Sequence, residues 1–424
     1  MTQGKIAYIS FDTVPAPKGA AIHIVAFSQA LATKFGDIQL VTVSPTAEKV
    51  DCYEIYPQVK QVMLPAVGDN LINRILYFRR FLRAWLQERR FEAIQIRSIY
   101  EGYEIALNKK RYCDSLIFEI NGLPSIELKY RYPGVVDDRE LLHKLHSQEQ
   151  ICLEAADLIV TPSSVTKEYL QSRGIAPDKI RVIPNGVDLD VFTYCLGNSK
   201  KLWQIEITGS MKSAQADFVS VAPDFQSQGV EPFQMLYFGT LSPWQGVNLA
   251  VEALGLINRD FAAKLTVIGQ ARDYQIKALK QLASKLEVAD KLTILEPMSQ
   301  KKLVQYIHTS DVILAPLTPN DRNLVQGCCP LKILEGMATG IPVIASDLPV
   351  VRELGLDRVH FLLVKPGDAK AIKNAVLRLQ DGELATQLAI NARKHIEDNY
   401  TWKLAGETLI AAYTELGIKR SITV

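Results

Sequence analysis

Residues 327–354 read GCCPLKILEGMATGIPVIASDLPVVREL, and the stretch divides into a loop, a helix, a turn, a strand and a second loop. Pro330 suits the first turn of a helix, where its missing amide would have no intrahelical partner, and Gly340 suits the end, where it can take positive φ. Leu331, Leu334 and Met337 recur at helical spacing and can face a core, while PVIAS from Pro342 is the short apolar run of a strand buried on both faces. A helix feeding such a strand is the repeating piece of a parallel sheet with helices on both sides.

Working outward from that piece, the same alternation runs through both halves of the 424-residue chain. Expected strands in the first half are KIAYIS from Lys5, IQLVTV from Ile38, VMLPA from Val62, AIQIR from Ala93, LIFEI from Leu116, LIVTP from Leu158 and IRVIP from Ile180. In the second half they are MLYFG from Met235, LTVIG from Leu265, LTILE from Leu292, VILAP from Val312, PVIAS from Pro342 and FLLVK from Phe361. From Thr193 to Pro232 the rhythm is lost to polar sequence, and a loop of that length marks a boundary. The expected division is a Rossmann-like domain over 1–192, a polar linker or insertion over 193–232, a second Rossmann-like domain over 233–400, and a last helix in 401–424 that packs back across the first domain. Two domains match the length, since a single core stops growing well before this size. Open parallel sheets bind ligands at the carboxyl ends of their strands, so two of them facing a central cleft define where chemistry is to be sought.

Composition narrows the function classes. Lys and Arg total 48 against 46 for Asp and Glu, so overall charge does not call for nucleic acid. The six cysteines, Cys52, Cys113, Cys152, Cys195, Cys328 and Cys329, have no metal-ligand spacing and no disulfide framework. The opening MTQGKIAYISFDTVP is too short in apolar residues for a signal-peptide core and reads as a first strand, and no window approaches a membrane span. The expected location is cytoplasmic, with no cofactor and no metal.

Lys332 and Glu335 lie three apart on the helix of the opening stretch and share one of its faces. A cation and a carboxylate at a helix start suit a diphosphate and a ribose, and the free amides there attract anions. Gly327 would let a ligand approach the backbone. Spacing alone favours an ordinary i,i+3 ion pair on a solvated helix.

The stretch PLKILEGMATGIPVIASDLP resembles the retaining family-four, or group 1, glycosyltransferases, whose fold is GT-B. IRVIPNGVDLDVF from Ile180 is similar to the hinge signature of that family, FGTLSPWQGVNLAVEAL from Phe238 to the first strand, loop and helix of its nucleotide domain, and LTVIGQ and SDVILAPL to its middle strands. The resemblance implies that Glu335 is the second Glu of a Glu-x7-Glu motif and chelates the ribose hydroxyls of a nucleotide diphosphate sugar. The first Glu is replaced by Gly327, and backbone amides of Gly327, Cys328, Cys329 and Leu331, on either side of Pro330, would take its place. The Arg and Lys that neutralise the donor diphosphate in the commoner family loop are replaced by Thr240 and Gln245, beside Gly239 and Trp244, and Lys332 would supply the missing charge.

PAPKGAAIHIV from Pro15 resembles the glycine-rich loop of the family that lies under the donor sugar and phosphate, which implies donor contact for Gly19 and an acceptor-side place for Lys18 and His23; a lone histidine there is more often a satisfied structural residue. Asn121, in EINGLP, stands where many members carry a sugar-contacting His, and an amide there positions rather than acts as a base. Glu119 and Glu127 are nearby carboxylates, and Arg97 is a further candidate cation. Asp188 and Asp190 have the spacing of a metal site but fall in the hinge. Lys332, Glu335 and Asn121 thus form the expected catalytic set, and the implied reaction is metal-independent sugar transfer with retention. Two other readings share these features: a GT-B nucleotide-sugar epimerase, and a catalytically silent sugar-nucleotide binder.

One further expectation concerns NLINRILYFRRFLRAWLQERR, residues 70–90. Leu71, Ile75, Phe78, Leu82 and Trp85 form an apolar stripe among six arginines, which suits weak binding to an anionic membrane surface or equally an ordinary core-packing helix.

Overall fold

The computed structural model describes residues 2–195 and 231–419, so most of the polar segment expected over 193–232 lies outside the described residues. Among the described residues fourteen strands form: β1 (Thr2–Ile9), β2 (Ile38–Val43), β3 (Val50–Tyr56), β4 (Val59–Leu64), β5 (Arg89–Ile96), β6 (Cys113–Glu119), β7 (Leu158–Thr161), β8 (Ile180–Val182), β9 (Phe233–Phe238), β10 (Ala263–Ile268), β11 (Leu292–Leu295), β12 (Val312–Ala315), β13 (Val343–Ser346) and β14 (Leu362–Val364). They build one sheet of order β3-β4-β2-β1-β5-β6-β7-β8 and another of order β11-β10-β9-β12-β13-β14. Every expected strand is present. The additional one, β3, pairs antiparallel with β4 at the sheet edge with register shifts, the only antiparallel pairing described. Its sequence VDCYEIY mixes charges into the run because an edge strand is not buried on both faces.

In each sheet the strand order reverses once, between β1 and β5 and between β9 and β12. The connections leaving such neighbours diverge to opposite faces, which opens a crevice at their carboxyl ends. The loops after β1, β5, β9 and β12 are therefore the ones the fold makes available to ligands.

The chain separates into two compact units, one of Met1–Gly186 with Asn320–Cys329 and Tyr400–Val424, the other of Val187–Pro319 with Pro330–Asn399. Asn320–Cys329, which sequence order puts in the second domain, is thus part of the first. The last helix, Trp402–Glu415, packs on the helix Gly19–Phe35, where Leu409 and Tyr413 are buried with Leu31 and Phe35. Gly406 permits this approach, since a Cβ there would sit 2.8 Å from that of Ala30. Buried Tyr413 also donates a hydrogen bond to Gln95 in β5.

The arginine-rich helix spans Leu71–Leu86, with Asn70 capping the Asn73 amide at 2.9 Å, and Arg89 and Arg90 already belong to β5. Its expected lipid-facing stripe is a core stripe: Ile75, Phe78, Leu82 and Trp85 are buried. Its arginines also have protein partners. Arg79 donates to the Ile99 and Tyr100 carbonyls, Arg83 pairs with Glu104, Arg89 donates to the Trp85 carbonyl, and Arg90 pairs with Asp114. No helix among the described residues is long and apolar enough to cross a membrane.

The turn from β5 into the helix Ile99–Leu107 is held by a fully buried carboxyl group. Glu101 Oε1 accepts from the Arg97 amide at 2.8 Å and the Ser98 amide at 2.6 Å, while Oε2 is buried without a hydrogen-bond partner. Burial pushes its pKa up to about 8, although the backbone amides oppose the shift. A carboxyl whose folded pKa lies above its unfolded one contributes stability that is present below about pH 4.5 and is lost as pH rises through 8. Glu101→Gln is therefore expected to flatten the fall in unfolding free energy between pH 5 and 8, by up to a few kcal/mol. Urea titrations at several pH values measure this, and parallel curves for variant and wild type would contradict it.

Candidate active site

In the second unit the site begins where β9 ends. Gly239 has φ +123° and its carbonyl lies so near Gly269 that a Cβ there would be 1.8 Å from the oxygen, so β9 and β10 end in close backbone contact. The turn is pinned by the Tyr237 hydroxyl donating to the Thr240 carbonyl at 2.7 Å. Thr240 itself is exposed. Residues Pro243–Gln245 make one 3-10 turn, and Gly246, with φ +65°, starts the helix Val247–Ile257. Only glycine fits there, because a Cβ would lie 2.0 Å from the Pro316 carbonyl oxygen. The Thr318 amide donates to the Trp244 carbonyl at 3.0 Å, tying this loop to the one after β12. Gln245 Oε1 is buried without a hydrogen-bond partner.

The helix carrying Lys332 and Glu335 spans Leu331–Thr339, with Pro330 at its N-cap and Gly340 in the left-handed conformation at its end. It is not a solvated helix: every residue from Lys332 to Thr339 is buried, and Lys332 and Glu335 are each 7% exposed. Lys332 Nζ lies 3.8 Å from the centroid of the Tyr237 ring and has no hydrogen-bond partner among the described residues. A Cβ on Gly239 would be 3.5 Å from that nitrogen, so the ammonium stands against the glycine at the end of β9. Glu335 is hydrogen-bonded to Gln300. Burial pushes the Lys332 ammonium down to about 7, against the attraction of Glu335, and pushes Glu335 up to about 7, against Gln300 and Lys332. An ordinary surface ion pair shifts in the opposite sense on both sides. Two ionisable groups left poorly compensated at a strand end mark a place where a charged ligand would complete the arrangement.

In the first unit the carboxyl ends of β1, β5 and β6 meet at Glu119, which is 1% exposed. Its carboxylate accepts from Arg97 Nε at 2.8 Å and Gln95 Nε2 at 2.6 Å, and from the Tyr8 hydroxyl and the Asn121 amide. Burial works against the charge, yet His23 and Arg97 hold Glu119 well below the usual carboxylate range. Arg97 also pairs with Asp12 at 3.0 Å, and Lys18 with the other oxygen of Asp12 at 3.1 Å. Arg97, a candidate for a ligand diphosphate, is thus already matched by two carboxylates. Gly19 is the first residue of the helix Gly19–Phe35. His23 is 3% exposed, with Nδ1 2.7 Å from Asn185 Oδ1 and Nε2 2.9 Å from Glu119 Oε1, the second contact being close enough for an ion pair but not aligned as a hydrogen bond. Asp188 accepts from the Asp190 amide at 3.0 Å in a local turn.

The segment Asn320–Cys329 is fastened to this unit at its length. Asp321 pairs with Lys129 and accepts from Tyr130. Arg322 Nε and Gln326 Nε2 donate to Glu127 Oε1 at 2.9 and 2.8 Å, and the Leu123 amide donates to Gln326 Oε1 at 2.9 Å. Gly327 has φ +83° and sits on the start of the helix Ser164–Ser172, where a Cβ would be 2.5 Å from Ser163 Oγ and 2.6 Å from Thr166 Oγ1. Gly327 is therefore a packing requirement rather than an opening for a ligand, and its amide donates to the Arg322 carbonyl at 3.0 Å. Cys328 and Cys329 are buried behind it. The sequence names Glu119, Glu127, Arg97, Asn121 and His23 singly but not the contacts that join them, because each side chain taken singly is ordinary for a strand end or a helix.

Two doubly wound parallel sheets, each with its polar groups at the strand ends beside the reversal of strand order, define a GT-B α/β protein. Residues 17–191 match the family Glycosyltransferase Family 4, and residues 232–381 match Glycosyl transferases group 1. The chain belongs to this family and is a glycosyltransferase. It is 21% identical over 436 aligned residues, 98% of each chain, to a D-inositol 3-phosphate glycosyltransferase of Xylanimonas cellulosilytica. Among solved structures it is similar to sucrose-phosphate synthase from Thermosynechococcus elongatus, with TM-score 0.77, 20% identity and coverage of 98% and 99% of the two chains. It is also similar to Anabaena HepE in complex with UDP, with TM-score 0.68, 14% identity and coverage of 97% and 100%.

Proposed function

We propose that this glycosyltransferase moves a hexose-type sugar from a nucleotide diphosphate donor to a hydroxyl of a glycan, a lipid-linked saccharide or a small molecule, with retention and without a metal ion. The observation that carries the reading is the Lys332 ammonium, buried and without a hydrogen-bond partner at the end of β9, with the Glu335 carboxyl on the same helix. A diphosphate beside Lys332 would restore the charge that burial disfavours, and a ribose on Glu335 would supply two hydroxyl donors to its carboxylate. HepE, solved with UDP and with UDP-glucose, supports that ligand class.

In this reading Gly239, Thr240 and Gln245 line the donor on the second unit, with Lys332 neutralising the leaving diphosphate in place of the absent loop cations. The stretch Gly327–Leu331 contributes main chain rather than a carboxylate. On the first unit Asn121, its amide held by Glu119, orients a sugar or acceptor hydroxyl, Gly19 lies under the donor sugar and phosphate, and Lys18 and His23 belong to the acceptor side. Catalysis rests on orientation and on stabilising the departing charge.

A screen of UDP-, GDP- and ADP-sugars for thermal stabilisation, followed by transfer assays with EDTA present, tests the reading. Stabilisation by one nucleotide sugar and EDTA-insensitive transfer are expected. Donor binding with no transfer to any acceptor would favour the silent binder, and donor converted without acceptor would favour the epimerase.

Membrane contact rests on a smaller surface than the sequence suggested. Ile72 and Leu76 are each 56% exposed on the helix Leu71–Leu86, about two turns and one turn before Arg80 respectively. Binding to anionic liposomes should exceed binding to neutral ones at low salt and drop for Ile72→Ser/Leu76→Ser; equal partitioning would remove this contact.

A further inference from the structure

Three buried groups form a chain at the edge of the first unit. Asn185 Nδ2 donates to the Cys329 carbonyl at 2.7 Å, so its Oδ1 is the acceptor that faces His23 Nδ1 at 2.7 Å. His23 Nδ1 must therefore carry a hydrogen. Both side chains are under a tenth exposed, which leaves no water to take over either bond. Glu119, on the other side of the ring, has four other donors in Tyr8, Gln95, Arg97 and Asn121. Loss of the ring would leave that carboxylate satisfied. The amide of Asn185, by contrast, is fixed by His23 at one end and by a main-chain carbonyl at the other.

Cys329 ends the segment that Asp321, Arg322, Gln326 and Gly327 fasten to the same unit, and Pro330 and the helix of Lys332 and Glu335 follow it directly in the chain. We propose that His23 and Asn185 are positioning residues for transfer: His23 sets the orientation of the Asn185 amide, and Asn185 holds the Cys329 carbonyl, just ahead of the donor residues. This rests on the donor assignment above. Neither side chain touches substrate in this role.

Three variants separate the link from mere packing. In His23→Asn the new amide nitrogen falls near the place of Nδ1 and keeps the bond to Asn185, whereas in His23→Gln it falls near Nε2 and serves Glu119 alone. Asn185→Asp keeps the acceptor for His23 but loses the donor to Cys329. His23→Gln and Asn185→Asp are expected to raise the donor KM by roughly fivefold to tenfold, the effect of one lost neutral hydrogen bond, with His23→Asn nearer to wild type. Amide hydrogen exchange across residues 328–332 should accelerate in the same order. If Gln at position 23 performs as well as or better than Asn in both readouts, the ring serves Glu119 and the proposal is overturned. Should wild type bind no nucleotide sugar, the donor reading fails, and exchange alone decides: faster exchange in His23→Gln and Asn185→Asp supports the link, and unchanged exchange in both sinks it. Asn185→Asp keeps the question open to measurement if the His23 variants fold poorly.

Discussion

Glu335→Gln is expected to lower donor affinity or transfer rate by roughly ten- to a hundredfold while the helix Leu331–Thr339 and the melting temperature stay close to wild type. The two side chains have similar size and helix propensity, so only the charged acceptor is lost, and a hydrogen bond to a charged group contributes about 1.5–3 kcal/mol. Removing a carboxyl whose pKa burial has pushed up to about 7 carries no stability penalty of its own and could raise stability above that pH. Lys332→Met should instead weaken intact donor and free nucleoside diphosphate alike and spare the nucleoside. The pH dependence follows from the same pair. Lys332, held down to about 7 in the empty site, must gain its proton when a diphosphate arrives, whereas Glu335, held up to about 7, must lose one to bind the ribose. The two offset near pH 7, and net proton uptake is expected near pH 8, where Glu335 is already ionised. Titration calorimetry in buffers of different ionisation enthalpy detects that uptake. Normal transfer by Glu335→Gln, or diphosphate binding untouched by Lys332→Met, would remove the site assignment.

Gly327→Glu, which rebuilds the motif of the wider family, is expected to destabilise the protein by about 2–6 kcal/mol and to lower transfer rather than raise it. The backbone at φ +83° and ψ 166°, a region that essentially only glycine adopts, costs a residue with a Cβ about 1–3 kcal/mol, and the Cβ itself would lie 2.5 Å from Ser163 Oγ and 2.7 Å from the Thr166 amide, adding about 1–3 kcal/mol of overpacking. Gly327→Ala should show most of this loss, since the clash begins at Cβ. Denaturant unfolding with a transfer assay measures both effects. A stable Gly327→Glu variant with improved transfer would mean that the position is a vacated carboxylate site after all.

Several of the site's features were legible from residue order. Pro330 and Gly340 mark the ends of the donor helix through sterics that act within one turn, and the period of Leu331, Leu334 and Met337 points its core face. The spacing of Lys332 and Glu335 put them on one face. It could not say whether that face met water, and the surface ion pair was the better fit until every residue around them proved buried. The stripe of the helix Leu71–Leu86 shows the converse: an apolar face with arginines around it looks the same whether a core or a lipid surface covers it, and only the packing of Phe78 and Trp85 decides.

The sequence by itself determined two parallel sheets with helices between their strands, because alternation of apolar runs with helical periods is written residue by residue and answers to local forces. Tertiary structure alone decided what the polar residues do. It set Arg322 on Glu127 across 195 residues of chain and His23 on Asn185 across 162, moved Asn320–Cys329 into the first unit, and left the Lys332 ammonium without a hydrogen-bond partner. Those outcomes depend on which side chains meet after the chain has folded back. A hydrogen bond between distant residues leaves no period or spacing in the sequence from which it could be read.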